Sequence, residues 1–223
     1  MHVLNNADLP LDFRVATLIQ FSGLLRVGEF TSRTQHTFDP QSTLLRKHVD
    51  IVAGKYVRLL LLHSKTDVQH FGQHVYFAAD SSPSSAYSIL MLYMTLTEHR
   101  DASSPLFMID AERGHRPRFL TRQLMNYYLK AQARECGIVD TYFSSHSLRI
   151  GGATALSIGG VPDRDIQFAG RWRSDTFRRY IRISLERIRL IARAISIDNT
   201  SSVPGVVGVP FDEDYLASAL DHV

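Results

Sequence analysis

A single cysteine, Cys136, stands in the whole chain, so neither an internal disulfide framework nor a cysteine-rich zinc site is available to it. Long apolar runs are missing too: no stretch approaches the length that spans a bilayer, and no N-terminal signal peptide is visible. These absences lead to the expectation of a soluble, intracellular protein without a membrane partner, nuclear if its source is eukaryotic. Lysine is scarce. Lys47, Lys55, Lys65 and Lys130 are the only four among 25 basic residues, and the remainder are arginines, whose planar forks match phosphate oxygens. The ten histidines form no metal signature, since His70 and His74, four apart, flank Gly72 in what reads as a connection between strands. Neither a metal nor a cofactor is expected. Internal repeats and low-complexity tracts are also absent.

What is present is enough for a large domain. With 223 residues, 44% of them apolar, the chain can bury a sizeable core as one domain or as one domain with a tail. The formal charge is only +3, but it is unevenly placed: nine arginines fall between Arg164 and Arg193 against Asp165, Asp175 and Glu186. Such a basic surface suits a polyanion, although a solvated helix face has the same composition.

In chain order, the apolar spacing of Val15, Leu18, Ile19 and Phe21 to Leu25 predicts a helix from about Leu11 to Leu25. Arg26 follows at once, then Val27, Gly28 and Glu29. This reads most simply as a helix C-terminal cap, and alternatively as an arginine held in place by Glu29. Between Arg46 and Ala78 the period changes to that of three short strands, KHVDIV, KYVRLLLLHS and QHVYFAAD, with Ala53-Gly54 as the first turn and Thr66 to Gly72 as the second connection. Pro83 opens a helix, LFMID is a brief extended piece, and Thr121 caps a helix that Gly137 closes. Helices are also expected around His146, from Asp163 to Ala169, and around Tyr180. The whole is mainly α with a small three-stranded antiparallel sheet. Two segments are expected: a domain over 1–195, and over 196–223 a Ser, Gly, Val and Pro linker followed by a short acidic amphipathic helix.

The most informative stretch runs from Ser144 to Arg182. His146 and Arg149 lie three apart, so on a helix they share a face. Ser174 and Asp175 offer an N-cap to a second amphipathic run that carries Tyr180 among arginines. Singly, an H-x-x-R step is a common solvated face, and a tyrosine on an arginine-rich helix is commonly a core residue with its hydroxyl at the rim. Together, in fixed order and with Gly170-Arg171-Trp172 between them, they suit phosphate chemistry: guanidinium groups hold an anionic phosphodiester while a tyrosine hydroxyl attacks it.

The ordered set Arg26, Lys65, His146-Ser-Leu-Arg149, Gly170-Arg171-Trp172 and Tyr180 resembles the catalytic domain of tyrosine recombinases, the phage-integrase-like family, over about residues 10 to 190. GRWRSDTFRRYIR looks most like the recombinases of eukaryotic mobile elements of the crypton and tyrosine-recombinase retrotransposon kind. The resemblance implies the DNA breaking-rejoining fold and metal-free strand exchange on double-stranded DNA. In that scheme Tyr180 is the nucleophile, Arg26 and Arg149 clamp the phosphate, Lys65 protonates the leaving oxygen and His146 assists proton transfer. One auxiliary phosphate contact is left between two neighbours: counting nine residues back from Tyr180 reaches Arg171, whereas residue type favours Trp172. The resemblance further implies an N-terminal core-binding domain, which this chain is expected to lack, and a homotetramer on DNA joined through C-terminal tails. Two other outcomes keep the same features: a domesticated module that binds DNA without cutting, and strand relaxation in the manner of type IB topoisomerases.

Overall fold

The structure, a computed structural model, describes residues 9–62, 72–109 and 117–181 together with Ile188, Arg189 and Ala192. The chain divides into two units, Met1–Arg182 and Ile183–Val223. In the second, the described residues Ile188, Arg189 and Ala192 are helical. The linker and short helix expected over 196–223 lie outside the described residues, as does Lys65.

The first unit is mainly helical with a small antiparallel sheet, as its sequence periods predict. Helix α1, Leu11–Ser22, is its centre, because Phe13, Val15, Ala16 and Ile19 bury one side while Asp12, Thr17 and Gln20 are buried too. A helix enclosed on nearly all sides belongs inside a domain. It stops three residues earlier than the apolar spacing suggests. Gly23 donates its N–H to the Ile19 carbonyl at 2.8 Å and Leu24 takes a positive φ of 49°, so the chain turns out of the helix although Leu24 and Leu25 are themselves core residues.

Strands β1, Val49–Val52, β2, Tyr56–Leu61, and β3, Gln73–Ala78, pair antiparallel in the order β1-β2-β3. Val57, Leu59 and Leu61 alternate inward on the middle strand. Phe77 and Val75 lie directly across from Val57 and Leu59, which puts both apolar rows on one face of the sheet. Helix α2, Ala86–Leu96, begins where the Ser85 hydroxyl accepts from the Ser88 N–H at 3.1 Å. A two-stranded ribbon follows, β4 Met108–Ile109 with β5 Arg118–Phe119. Thr121 then caps α3, Arg122–Glu135, accepting from the Leu124 N–H at 3.2 Å.

Helix α4, Ser145–Ile158, crosses α1 closely, and Gly152 permits it. A Cβ there would stand 2.3 Å from the Phe21 carbonyl oxygen, so no larger residue fits without parting the two helices. Helix α5, Asp163–Ala169, and a 3-10 turn, Asp175–Tyr180, complete the unit. Buried side chains form two clusters. The larger joins α1, α2, α3 and the sheet; the smaller consists of Leu24, Ala153, Ile166, Trp172 and Phe177, with Tyr180 partly buried against it.

A polar knot ties the larger cluster together. Arg100 donates to both Asp12 carboxylate oxygens at 2.6 and 3.2 Å, and the Tyr93 hydroxyl and the Met108 N–H donate to Asp12 Oδ1 at 2.6 and 2.7 Å. Burial, then the adjacent Asp12, pushes the Tyr93 phenol far above its ordinary range, so it stays a neutral donor. Asp12→Ala would leave the Arg100 charge in the interior without this carboxylate. The expected cost is about 3–5 kcal/mol, measured by urea unfolding. A loss under about 1 kcal/mol would show that the knot contributes little.

Candidate active site

Four chain segments meet at one cleft of about 360 Å³: the exit of α1, the N-terminal turns of α3 and of α4, and the end of the 3-10 turn. Arg26, His146, Arg149 and Tyr180 all line it, as does Arg122. Four of the six residues singled out in the sequence thus converge across more than 150 positions of chain.

Arg26 is not the cap of α1. Gly23 ends that helix, and Arg26 instead heads a short 3-10 turn, Val27–Glu29. The reason is reciprocal bonding within that turn. The Arg26 N–H donates to Glu29 Oε2 at 2.8 Å, Arg26 Nη1 donates to Oε1 at 3.1 Å, and the Glu29 N–H returns a bond to the Arg26 carbonyl at 2.8 Å. Glu29 is buried with only 3% of its side chain exposed, against 27% for Arg26, so the pair anchors at the carboxylate and presents the guanidinium to the cleft.

Arg149 is deeper still, at 2% exposure. Its guanidinium donates to the Leu24 carbonyl and, at 2.5 Å, to the Gly170 carbonyl, and its Cζ stands 4.2 Å from the centre of the Trp172 ring. Burial first, then the like charges of Arg26 and Arg171, lowers its pKa to about 9, with Glu29 and Tyr180 acting in the opposite direction. His146, one turn earlier on α4, is at the surface of the cleft. Its pKa is lowered by partial burial and then by Arg149, so the imidazole is neutral at pH 7 and can accept a proton.

The Tyr180 ring meets the His146 ring edge-on, with centroids 5.2 Å apart at 72°, and lies 5.4 Å from Trp172. Its backbone is fixed as well, because the Thr154 hydroxyl donates to the Tyr180 carbonyl at 3.0 Å. The amphipathic α-helix expected from Ser174 is replaced here by the 3-10 turn Asp175–Tyr180, after which Ile181 is extended. The physical cause is the spacing of two aromatics. Phe177 and Tyr180 are three apart and both turn to the smaller core, and a 3-10 helix, with three residues per turn, aligns such a pair on one side.

Trp172 and Arg171 occupy different settings. Trp172 is a core residue, 8% exposed, packed behind Arg149 and against Tyr180. Its ring lies over the α-carbon of Gly170, where an added Cβ would fall 1.5 Å from Cζ3. Arg171 turns the other way, towards Glu29, which its Nη2 reaches at 2.8 Å. Burial lowers its pKa, opposed by Glu29. Arg122 was not signalled by the sequence, where it is merely the residue after a helix cap; only the approach of α3 to the α1 exit brings it to the cleft. Among the described residues, no group of three or more His, Cys, Asp or Glu side chains is placed to hold a metal ion, and no helix is long and apolar enough to cross a membrane.

No protein-family model matches the sequence, and no curated protein matches it significantly. Solved structures do. The XerH site-specific recombinase in a post-cleavage complex with a palindromic difH substrate superposes with a TM-score of 0.58 at 17% identity, covering 87% of this chain and 49% of that one. XerA recombinase gives 0.56 at 18% identity, over 86% of this chain and 60% of its own. A pre-cleavage complex of XerH with difH gives 0.54 at 15% identity. The chain spans half to three-fifths of those recombinases. Its first unit has the tyrosine recombinase catalytic-domain fold.

Proposed function

We propose that this chain breaks and rejoins double-stranded DNA as a tyrosine recombinase, with the crypton or retrotransposon kind as its nearest functional type. The observation that carries the reading is the convergence of two arginines, a neutral histidine and a tyrosine on one cleft, with the Tyr180 and His146 rings 5.2 Å apart.

The chemistry follows from those groups. Tyr180 Oη attacks the scissile phosphorus and gives up its proton to His146; the Oη–P bond forms, the bond to the 5′-oxygen breaks, and a 3′-phosphotyrosyl link remains. Arg26 and Arg149 neutralise the non-bridging oxygens, where charge accumulates in the transition state. Trp172 supports this from behind by stacking on Arg149. Lys65 protonates the departing 5′-oxygen. A second hydroxyl, from another strand, then reverses the steps. The phosphodiester energy is kept in the tyrosyl ester throughout, so the cycle needs neither a nucleotide nor a metal ion.

A duplex with a nick close to the cleavage site tests the proposal, because the short 5′ fragment diffuses away and traps the covalent adduct. A protein–DNA adduct that passes its strand to a second duplex is expected. Relaxation of a supercoiled plasmid without transfer would indicate topoisomerase action, and binding without an adduct would indicate a non-cutting module. The role of Lys65 has its own test. A 5′-bridging phosphorothiolate leaves without protonation, so it is expected to restore cleavage to Lys65→Ala but not to Arg26→Ala, and equal rescue of both would remove Lys65 from the acid role.

The tail over 196–223 is proposed to join protomers into a tetramer on DNA. A short helix, as its sequence pattern leads one to expect, would be marginal alone and would need a surface for Phe211, Leu216 and Leu220. Deleting Phe211 to Val223 is expected to leave single-site cleavage intact and to weaken assembly on a two-site duplex. Unchanged assembly by light scattering would refute the role.

A further inference from the structure

Two residues other than glycine have positive φ among the described residues, Leu24 at 49° and Arg171 at 57°. Each such conformation costs on the order of 1–3 kcal/mol and persists only where its surroundings enforce it. The two are bonded to each other. Arg171 Nη2 donates to the Leu24 carbonyl at 3.2 Å and to Glu29 Oε2 at 2.8 Å, while Nη1 donates to the carbonyls of Gly23 at 3.2 Å and Ala169 at 3.1 Å. A guanidinium carries four Nη protons and one on Nε. Here all four Nη protons have acceptors within the protein, and Nε is buried without one. The one remaining donor, Nε, is shut off from solvent, so Arg171 has no accessible donor for a phosphate.

Glu29 links this clasp to the cleft. The Oε2 atom that receives Arg171 also receives the Arg26 N–H at 2.8 Å, and Oε1 of the same carboxylate receives Arg26 Nη1 at 3.1 Å. The Leu24 carbonyl is shared as well, since Arg149 donates to it. The clasp thus fastens the segment bearing Arg26 to the segment bearing Trp172 and Tyr180, two stretches about 150 residues apart in the chain. We infer that Arg171 is a positioning residue that acts through Glu29 and the Leu24 carbonyl to set Arg26 and Arg149 relative to Tyr180, and that it does not contact the DNA phosphate. The inference rests on the proposed strand-cleavage reading for its activity test, but not for its structural test.

Both tests use the full chain and the variants Arg171→Lys, Arg26→Lys and their combination. Lysine keeps the charge and loses the fork. With saturating nicked duplex, Arg171→Lys is expected to slow adduct formation by about 10- to 100-fold through misplacement of the reacting groups. Its duplex affinity should change by less than about threefold, because an exposed phosphate contact is not lost. The double variant should be no more than about threefold slower than the slower single variant, since both changes break one linkage. Independent effects that multiply, an unchanged rate, or a loss confined to affinity would each overturn the inference. The structural readout is the guanidinium NMR signal of Arg26 without DNA: in Arg171→Lys it should report faster side-chain motion while Arg58 and Arg134, on distant surfaces, are unaffected. An unmoved Arg26 signal would overturn the clasp, and so would equal change at all arginines, which indicates general loosening. If the wild-type chain forms no adduct, the cleavage reading fails alone, and the NMR comparison still decides the clasp. Should Arg171→Lys not fold, Glu29→Gln, which keeps the shape but drops the charge, carries the same two measurements.

Discussion

Tyr180→Phe is expected to abolish covalent protein–DNA adducts while leaving duplex affinity within about twofold, because one oxygen is removed and no packing is lost. The ring is what the fold uses: it lies between His146 and Trp172, partly buried on the smaller core, and phenylalanine fills the same space. The backbone anchor is also kept, since Thr154 bonds to the carbonyl and not to the side chain. The thermal midpoint should therefore stay near that of the wild type. Adduct formation is read by denaturing gel with the nicked duplex, and affinity by fluorescence anisotropy. Persistent adducts would place the nucleophile elsewhere, with Tyr127, Tyr128 and Tyr142 next to be tested.

Arg149→Met should separate catalysis from stability. Loss of a preorganised donor at a developing oxyanion commonly costs about 10²- to 10³-fold in rate, and in the proposed mechanism Arg149 is the buried half of the phosphate clamp. Stability should behave differently. Arg149 is almost fully buried beside Arg26 and Arg171, and its pKa of about 9 records that the fold disfavours its charge. The unfolded chain binds this proton more tightly, so the penalty is complete below about pH 9 and is relieved as pH rises from there towards the ordinary arginine value. At neutral pH, methionine removes that penalty and keeps an apolar chain against Trp172. Against this stands one lost acceptor satisfaction at the Gly170 carbonyl, since the Leu24 carbonyl still receives Arg171. Loss of a hydrogen-bond partner inside a protein costs about 1–3 kcal/mol. The expected result is a thermal midpoint equal to or above that of the wild type at pH 7, with cleavage lost. The advantage of the variant should shrink as pH is raised above 9. A midpoint that falls steeply at pH 7 would show that Arg149 is chiefly structural.

Both expected outcomes rest on the same part of the fold. The smaller core of Leu24, Ala153, Ile166, Trp172 and Phe177 contributes no chemistry of its own, yet it carries the backbone of Tyr180 and the ring beneath Arg149. Gly170 is required for that arrangement, because any side chain there would enter the space of the Trp172 ring.

Much of this was determined by sequence alone. Period-two alternation in β2 and β3 and the cap at Thr121 are local properties, set within a few residues, and they appear where the spacing places them, whereas the helix expected to open at Pro83 begins at Ala86 under a Ser85 cap. The pairing of His146 with Arg149 on one helix is local in the same sense. Other features depend on contacts between distant segments, which no local period encodes. The end of α1 at Ser22 is one, because Leu24 and Leu25 continue the apolar pattern but are buried outside the helix. The 3-10 turn at Tyr180 is another, since its sequence reads equally well as an amphipathic α-helix until Phe177 and Tyr180 are given a common core to enter. Spacing from Tyr180 brought Arg171 forward and residue type brought Trp172, so the sequence pointed to two neighbours at once. Tertiary structure divides them by burying Glu29 within reach of one and Arg149 against the other, because a buried carboxylate draws the nearest guanidinium and a buried guanidinium stacks on the nearest ring.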